Sequence, residues 1–448
     1  MKIWQKGTNK TSDKINQFTA GVDKIMDLEL GQYDALGSMA HSIMLEKINL
    51  LERSELVLIL KELRQIYDEL ASNQLKALDD DVEDIHSHIE WILTQRLGDV
   101  GKKIHSGRSR NDQVLVDMKL YMRAQIQVIV GLSFSLFETL VSLSEKHKND
   151  LLPGYTHLQI AMPSSFGLWF GAYAEALIDD LEVMQGAFRV VNKNPLGSGA
   201  GYGSSFPLDR TLTTQLLGFE ALNVNVVYAQ MTRGKTELIV CNAISILAGT
   251  LARLAMDVCL YNSQNFNFLV LPEELTTGSS IMPHKKNPDV AELLRAKCNR
   301  MKAVPQEITL VNSNLPSGYH RDMQLIKEIM VPAFKEIKEC LDMTTYMLQN
   351  IAVKPNLLAD EKYDLLFSVE RVNELVLAGV PFRDAYRQVG AEIENGSYQA
   401  PRALRHTLEG SIGNLQNEAI KTAMQATIDG FGFEKIEASI KNLLNYEV

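Results

Sequence analysis

The spacing of proline residues places the strongest limit on what this chain can fold into. The first of its 13 prolines is Pro153, and further proline-free intervals run from Pro163 to Pro195 and from Pro207 to Pro272. Proline breaks the interior of an α-helix, so these intervals leave room for long helices. Because runs of alternating β-branched residues are also scarce, we predict an overwhelmingly α-helical chain.

Three intervals, at roughly 110–150, 165–192 and 228–268, are rich in Leu, Ile, Ala and Met on more than one face. A helix that is apolar all round needs other helices around it. The sequence therefore predicts a bundle of long helices and favours a homo-oligomer in which several bundles pack together. The most apolar stretch, Leu238 to Ala252, is too short to span a bilayer, so we interpret it as a buried helix.

Charge and cysteine content exclude several classes of partner and site. The net charge of -10 and the isoelectric point near 5.5 argue against nucleic acid and anionic membrane as main partners. The four cysteines are widely spaced and include no CxxC pair, which argues against a zinc site or a disulfide framework. The N-terminus lacks the apolar core of a signal peptide. We therefore expect a cytoplasmic protein that uses no metal and no cofactor.

The most distinctive loop runs from Thr277 to Asp289, reads TGSSIMPHKKNPD, and is followed by Glu292. Its glycine and paired serines, including Ser279, permit a tight turn with several free N–H donors. Lys285 and Asn287 add a cation and an amide, and the whole set suits a carboxylate that gains charge in a transition state. Composition alone does not exclude the alternative that this segment is only a flexible surface loop. A phosphate-binding loop is excluded, because the GxxxxGK[ST] spacing is absent.

Two further loops, with the sequences GYTHLQ at 154–159 and GRSRNDQ at 107–113, carry candidate ligand-binding residues. His157 in the first is a natural proton carrier near neutral pH, and the arginines of the second form a possible anion clamp with Ser109 and Asn111. The structural alternatives are a buried, hydrogen-bonded histidine and an ordinary helix N-cap at Asn111 or Asp112.

One group of residues imitates a metal site. His86 and His88 stand beside Glu83 and Asp84, and all four are metal-ligating residue types. Residues two apart on a helix point away from each other, so we predict no metal here.

Taken together, these loops and the segment 319–327 resemble the signature regions of the fumarase/aspartase superfamily. Residues 278–292 match its GSSxMPxKKNPDxxE pattern, and the GRSRNDQ and GYTHLQ stretches are similar to argininosuccinate lyases and their lens relatives, the delta-crystallins. Asp84–Ile85–His86 and Pro381–Phe382–Arg383 also match that branch. The resemblance covers essentially the whole chain and thins after about residue 400.

This resemblance implies an all-α subunit of three domains, at 1–107, 108–356 and 357–448, whose central long-helix bundle assembles into a tetrameric helical core. Each active site would take loops from three chains of the homotetramer. The implied reaction is the reversible elimination of argininosuccinate, a small-molecule substrate, to arginine and fumarate through an aci-carboxylate carbanion.

The resemblance also implies residue roles. Ser279 matches the family's proposed base, His157 would act as the acid, polarised by Glu292, and Lys285 would stabilise the developing charge. The match to the family, together with the possible anion clamp at 107–113, also implies a set of substrate-binding residues. They would be Ser38, Ser109, Arg110, Asn111, Thr156, Asn287, Tyr319, Gln324 and Lys327.

Some segments depart from the family pattern. Trp4–Gly7 stands where WGGRF is usual, Gln159–Pro163 replaces QRAQP, and Thr232–Lys235 replaces an S-x-R-D segment. Two alternatives stay open: another lyase of the superfamily, such as adenylosuccinate lyase, and a non-catalytic structural protein of the delta-crystallin kind. Retention of the residues assigned to chemistry favours catalysis.

Overall fold

The computed structural model of the chain describes residues 13–72, 74, 82 and 84–448, and it is 67% helical. The departure at Trp4–Gly7 and the residue Glu83 lie outside this described part. The first nine helices are α1 Asp13–Ala20, α2 Asp23–Leu28, α3 Gly31–Lys47, α4 Arg53–Ala71, α5 Ile85–Leu97, α6 Asp99–Lys102, α7 Arg110–Lys146, α8 Phe166–Val191 and α9 Arg210–Leu216. The next nine are α10 Val226–Met231, α11 Lys235–Asn262, α12 Asp289–Met301, α13 Val304–Val311, α14 Leu325–Asn350, α15 Ser368–Leu377, α16 Phe382–Glu394, α17 Asn417–Asp429 and α18 Phe433–Leu444. The predicted all-α class is confirmed.

Short strands and 3-10 turns join the helices. The strands are β1 Leu151–Thr156, β2 Gln159–Ser165, β3 Lys193–Asn194, β4 Ala221–Leu222, β5 Leu269–Val270 and β6 Ala352–Val353. Strand β1 pairs antiparallel with β2, β3 parallel with β4, and β5 antiparallel with β6. The 3-10 turns are Lys103–His105, Glu273–Leu275, Arg321–Gln324, Leu357–Ala359 and Glu361–Phe367.

Helices α7, α8, α11 and α14 form the central bundle, with 37, 26, 28 and 26 residues. Three of them fall in the proline-free intervals, as predicted. Helix α14 was missed because Pro332 lies inside it. Proline removes one backbone hydrogen bond from a helix interior, but Met330, Val331 and Phe334 are buried around it, so tertiary packing maintains the helix.

Helices α7, α11 and α14 start at the same end of the bundle. Arg233, before α11, donates from Nη2 to the carbonyl oxygen of Met323, before α14, at 3.0 Å, and residues 110–114 of α7 share a cavity with Tyr319 and Lys327. At the other end, β5 after α11 pairs with β6 after α14. At 1.5 Å per residue, α7 separates these two ends by roughly 55 Å.

Two helices, Arg110–Lys146 and Lys235–Asn262, are long and apolar enough to cross a membrane. About half of the most apolar window of each, 50% and 56%, is buried inside the protein. The stretch Leu238–Ala252 lies within α11, with Ile244 and Leu247 fully buried. Packing inside the bundle therefore accounts for its composition, as the sequence predicted.

One hydrophobic core runs from Leu30 to Leu443 and includes residues of all three predicted domains. A small separate cluster, Val372, Ala385 and Val389, lies between α15 and α16. Because the main core is continuous, the domain boundaries at 107 and 356 stay a prediction.

Candidate functional site

A polar cavity of about 210 Å³ opens at the start of α7. It brings together five residues that the sequence assigned to substrate binding, from two segments that are two hundred residues apart along the chain. Its lining residues are Asp23, Asp27, Asp84, His86, Arg110, Asn111, Val114, Tyr319, Arg321, Gln324 and Lys327. The cavity therefore offers both cations and carboxylates to a ligand that carries both charges.

The start of α7 is fixed by a capping box that explains the position of Arg110 and Asn111. The Ser109 hydroxyl accepts from the Asn111 N–H at 3.3 Å, and the Ser109 N–H donates to Asp112 Oδ1 at 2.9 Å. The N-cap is thus Ser109, rather than Asn111 or Asp112. Arg110 Nη1 contacts Asp84 Oδ2 at 2.9 Å, which holds its guanidinium at the cavity wall.

Lys327 is buried in the cavity floor beneath α2. Its ammonium contacts Asp23 at 2.7 Å and also pairs with Asp27. Burial alone would lower the pKa of Lys327, but the two carboxylates raise it above its usual value. Burial raises the pKa of Asp23 to about 6 against the attraction of Lys327. Lys327 is therefore a charged lysine that is paired with two carboxylates of α2.

Behind the cavity lies a buried charge cluster centred on His86. His86 Nδ1 pairs with the Asp34 carboxylate and lies 3.4 Å from Asp117 Oδ2. Burial opposes the charged imidazole, but Asp34 and then Asp117 raise the pKa of His86 to about 10. Burial, with Asp34 nearby, raises the pKa of Asp117 well above its usual value. The cluster thus holds a charged imidazole against the Asp34 carboxylate, with Asp117 on its other side.

Ser38 belongs to this cluster rather than to the cavity wall. Its hydroxyl donates to Asp34 Oδ1 at 3.1 Å and accepts from Arg108 Nη1 at 2.9 Å, and it is 1% exposed. Ser38 therefore hydrogen-bonds to Asp34 and does not line the cavity.

The potential metal ligands of this region separate into two environments. The ligand atoms of Asp34, His86 and Asp117 lie within 4.8 Å of one another, so the absence of a metal at His86 stays a prediction. His88 instead stacks on Trp91, with ring centroids 6.1 Å apart. The two histidines thus face different partners, as their spacing on α5 predicted.

The segment that carries Thr156 and His157 was expected to be a loop, and that expectation was wrong. It is a β-hairpin whose two-residue turn consists of His157 and Leu158, with φ angles of 53° and 59°. Two positive φ values are typical of a type I′ turn, which matches the twist of paired strands. Each costs a non-glycine residue roughly 1–2 kcal/mol. The imidazole of His157 is therefore presented at an exposed, strained tip.

The serine loop is closed at its neck by two backbone hydrogen bonds between Thr277 and Asn287, of 3.1 and 2.8 Å. At its tip the hydroxyl oxygen of Ser279 accepts from the Met282 N–H at 3.1 Å and from the Ile281 N–H at 3.4 Å. Lys285 is exposed on the same loop, and Glu292 is exposed on the first turns of α12. The Ser279 oxygen thus accepts from two backbone N–H groups of its own loop, and its catalytic role stays a prediction.

The hairpin and the serine loop lie at the same end of the bundle. The Tyr155 ring lies 5.4 Å from the ring of Phe266 and 6.4 Å from that of Phe268, and β5 continues from there into the serine loop. Among the described residues, the cavity at the start of α7 is not lined by any residue of either loop. Since α7 is roughly 55 Å long, one chain holds the predicted site residues at opposite ends.

Several residues of the cavity were missed from the sequence. Asp23 and Asp27, four apart on α2, contact Lys327, and Arg321 donates to the carbonyl oxygen of Thr19 at 3.2 Å. The spacing of the two aspartates was a usable signal. Nothing local to Asp117 indicated that it faces His86.

Comparison with known proteins identifies the family. A family model described as a lyase matches residues 7–302. An argininosuccinate lyase of Parabacteroides distasonis is 57% identical over 444 residues, covering 99% of each chain. One from Bacteroides fragilis is 58% identical over 443 residues, again covering 99% of each. This chain belongs to the argininosuccinate lyase family.

The fold of this family extends to more distant lyases. A variant of EDDS lyase, solved with bound fumarate, superposes with a TM-score of 0.74 at 20% identity, covering 98% of both chains. At that identity the likeness concerns the fold. The family resemblance drawn from the sequence loops is confirmed, and the identity over the whole chain favours the argininosuccinate branch over other superfamily lyases.

Proposed function

We propose that this chain catalyses the reversible elimination of argininosuccinate to arginine and fumarate. The observation that carries the proposal is 57–58% identity to argininosuccinate lyases over 99% of both chains, together with retention of every residue assigned to the chemistry. Because arginine is a product, we also propose a role in arginine biosynthesis, in the cytoplasm that the sequence analysis expects.

The reaction begins with removal of a proton from the carbon beside a carboxylate. We assign this step to Ser279 as an alkoxide, because two backbone N–H groups donate to its oxygen and Lys285 lies on the same loop. The electron pair left on carbon spreads into the neighbouring carboxylate, which gains a second negative charge. Lys285 and Asn287 supply the cation and the amide donor that favour this dianion over the ground state.

The carbon–nitrogen bond then breaks, and its electron pair moves to the guanidino nitrogen of the departing arginine. We assign the proton that this nitrogen receives to His157, with Glu292 as its polarising carboxylate. The exposed hairpin tip supports this role, because an imidazole that reaches away from its own chain can enter a site formed with another chain. The remaining carbon skeleton leaves as fumarate.

The cavity at the start of α7 is the proposed binding site for the rest of the substrate. Arg110 and Lys327 offer positive charge to carboxylates, whereas Asp23 and Asp84 suit the guanidinium and the ammonium group. Asn111, Tyr319 and Gln324 supply neutral polar partners, and Thr156 and Asn287 would complete the set from the loops at the other end.

A complete site then requires more than one chain. Residue 111 and the hairpin after residue 150 lie at opposite ends of a helix roughly 55 Å long, far beyond the length of the substrate. We therefore propose a homotetramer in which the cavity of one subunit meets the hairpin and the serine loop of others. Light scattering with size-exclusion chromatography tests this directly, and a monomer would refute it.

The activity is tested by fumarate release from the purified protein, with argininosuccinate and adenylosuccinate supplied separately. We expect turnover of the first substrate only. Ser279→Ala should lower kcat by about 10²–10⁴-fold, as expected for loss of a positioned base, whereas Ser280→Ala, on the same loop, should remain within a few fold. Turnover of adenylosuccinate alone would assign the chain to a different lyase, and near-normal turnover by folded, tetrameric Ser279→Ala would remove Ser279 from the mechanism.

A further inference from the structure

A glycine-rich loop, residues 195–208, follows β3 and contacts the segments that form the cavity at the start of α7. Its first part is fixed by Asp112 in the first turn of α7, because the N–H groups of Gly197 and Gly199 donate to Asp112 Oδ2 at 3.0 and 2.9 Å. The neighbouring residue Asn111 lines the cavity. The loop is therefore attached to the helix turn that forms one wall of the cavity.

The last part of the loop packs against the turn that leads into α7. A Cβ atom added to Gly107 would lie 2.8 Å from Leu208 Cδ2 and 3.5 Å from Phe206 Cδ2, so both side chains lie against this turn. The two ends of the loop are thus held beside the start of α7, and residues 200–205 between them form its tip.

The tip carries one large side chain, Tyr202, which is 76% exposed. It stands between Gly201 and Gly203, whose φ angles of 106° and 78° are readily adopted only by glycine. The N–H groups of both glycines donate to the Ser198 carbonyl oxygen, at 3.1 and 3.0 Å, and Ser198 is fully buried. Tyr202 is therefore an exposed aromatic ring on a backbone turn that is anchored to the core.

The hydroxyl group of Tyr202 lies beside the other wall of the cavity. A Cβ atom added to Gly318 would be 3.9 Å from the Tyr202 hydroxyl oxygen, and the next residue, Tyr319, lines the cavity. The loop thus extends from the wall formed by α7 to the wall formed by residues 319–327. Tyr202 stands at the rim of the cavity rather than in its wall.

We propose that Tyr202 is a further substrate-binding residue, whose aromatic ring packs against the guanidinium of argininosuccinate at the mouth of the cavity. This role rests on the proposed function, in which the cavity takes the arginine end of the substrate and the loops of other chains take the succinyl end. The guanidino group joins these two ends and therefore lies at the rim. A guanidinium is planar and weakly hydrated, so it binds the face of an aromatic ring favourably, while its N–H groups stay available to the carboxylates of the cavity.

The variant Tyr202→Ala tests this contact through the two products separately. We expect the KM for argininosuccinate and the inhibition constant of arginine to rise together, by about five- to thirtyfold, as for loss of one cation–π contact. The inhibition constant of fumarate should stay within about twofold, because fumarate carries no guanidinium. The kcat should stay within about threefold, because the contact is present both before and after the bond breaks.

Three further variants separate the ring from the rest of the loop. Tyr202→Phe keeps the aromatic face and should retain the wild-type constants within about threefold. Tyr202→Leu keeps apolar bulk without that face and should resemble Tyr202→Ala. Tyr386→Ala removes another exposed tyrosine, 66% accessible on α16, and should change none of the constants. Light scattering should give the same oligomeric state for all four variants.

Four results would overturn the role of Tyr202 and leave the proposed function intact. The first is unchanged KM and arginine inhibition in Tyr202→Ala and Tyr202→Leu. The second is an equal rise in the arginine and fumarate constants. The third is a Tyr202→Phe variant as weak as Tyr202→Ala, which would assign the contact to the hydroxyl group. The fourth is an altered oligomeric state of Tyr202→Ala, which would make Tyr202 a subunit contact. Absence of argininosuccinate turnover in the wild-type protein would instead refute the proposed function, and this role with it.

Discussion

The ion pair between His86 and Asp34 should stabilise the fold only while the imidazole is charged. The pKa of His86 rises from 6.5 to about 10 in the folded chain, which corresponds to an upper bound of roughly 5 kcal/mol. Because the folded pKa is the higher one, this stabilisation is complete below pH 6.5, declines as the pH rises, and is lost near pH 10.

A double-mutant cycle isolates the pair. His86→Asn and Asp34→Asn should each lower the free energy of unfolding by about 3–5 kcal/mol, because each leaves a buried charge without its partner. The double variant should cost less than the sum, with a coupling energy of about 3 kcal/mol at neutral pH. Urea unfolding followed by tryptophan fluorescence at one protein concentration measures all four proteins. A coupling energy below about 0.5 kcal/mol, or one that stays constant up to pH 10, would refute the assignment of a charged His86.

Two further predictions concern the stability of variants at positions with a positive φ angle. Gly234 has a φ of +78°, and an added Cβ would lie 2.7 Å from Asn312 Oδ1. Gly234→Ala should therefore lower the free energy of unfolding by about 1–3 kcal/mol. An unchanged melting temperature would contradict this prediction. Leu158 has a φ of 59° and is 74% exposed, so Leu158→Gly should raise stability by about 1 kcal/mol. A lower melting temperature for Leu158→Gly would show that the turn is not strained.

The sequence predicted the parts of the molecule that depend on local chemistry. Proline spacing and apolar periodicity located α7, α8 and α11, and the backbone donors around Ser279 follow from the glycine and serines of its loop. Features that depend on tertiary packing were not predicted. Helix α14 forms despite Pro332 because its neighbours bury it.

Long-range contacts were beyond the reach of sequence reasoning. The cluster that joins Asp34, His86 and Asp117 comes from three helices whose contacts no local pattern encodes. The motif residues Asn111 and His157, which are only 46 positions apart in the sequence, lie at opposite ends of the bundle because α7 occupies almost all of the interval between them.

The shared active site is tested most directly by mixing two inactive variants that are defective at opposite ends of the bundle. Asn111→Ala damages the cavity end, and Ser279→Ala damages the loop end. Suppose that equal amounts of the two variants assemble at random and that each site takes its cavity and its serine loop from different chains. About one site in four then combines an undamaged cavity with an undamaged serine loop. We predict that co-assembled variants recover about a quarter of wild-type fumarate release. Hybrid tetramers no more active than either parent would mean that each site is built within one chain.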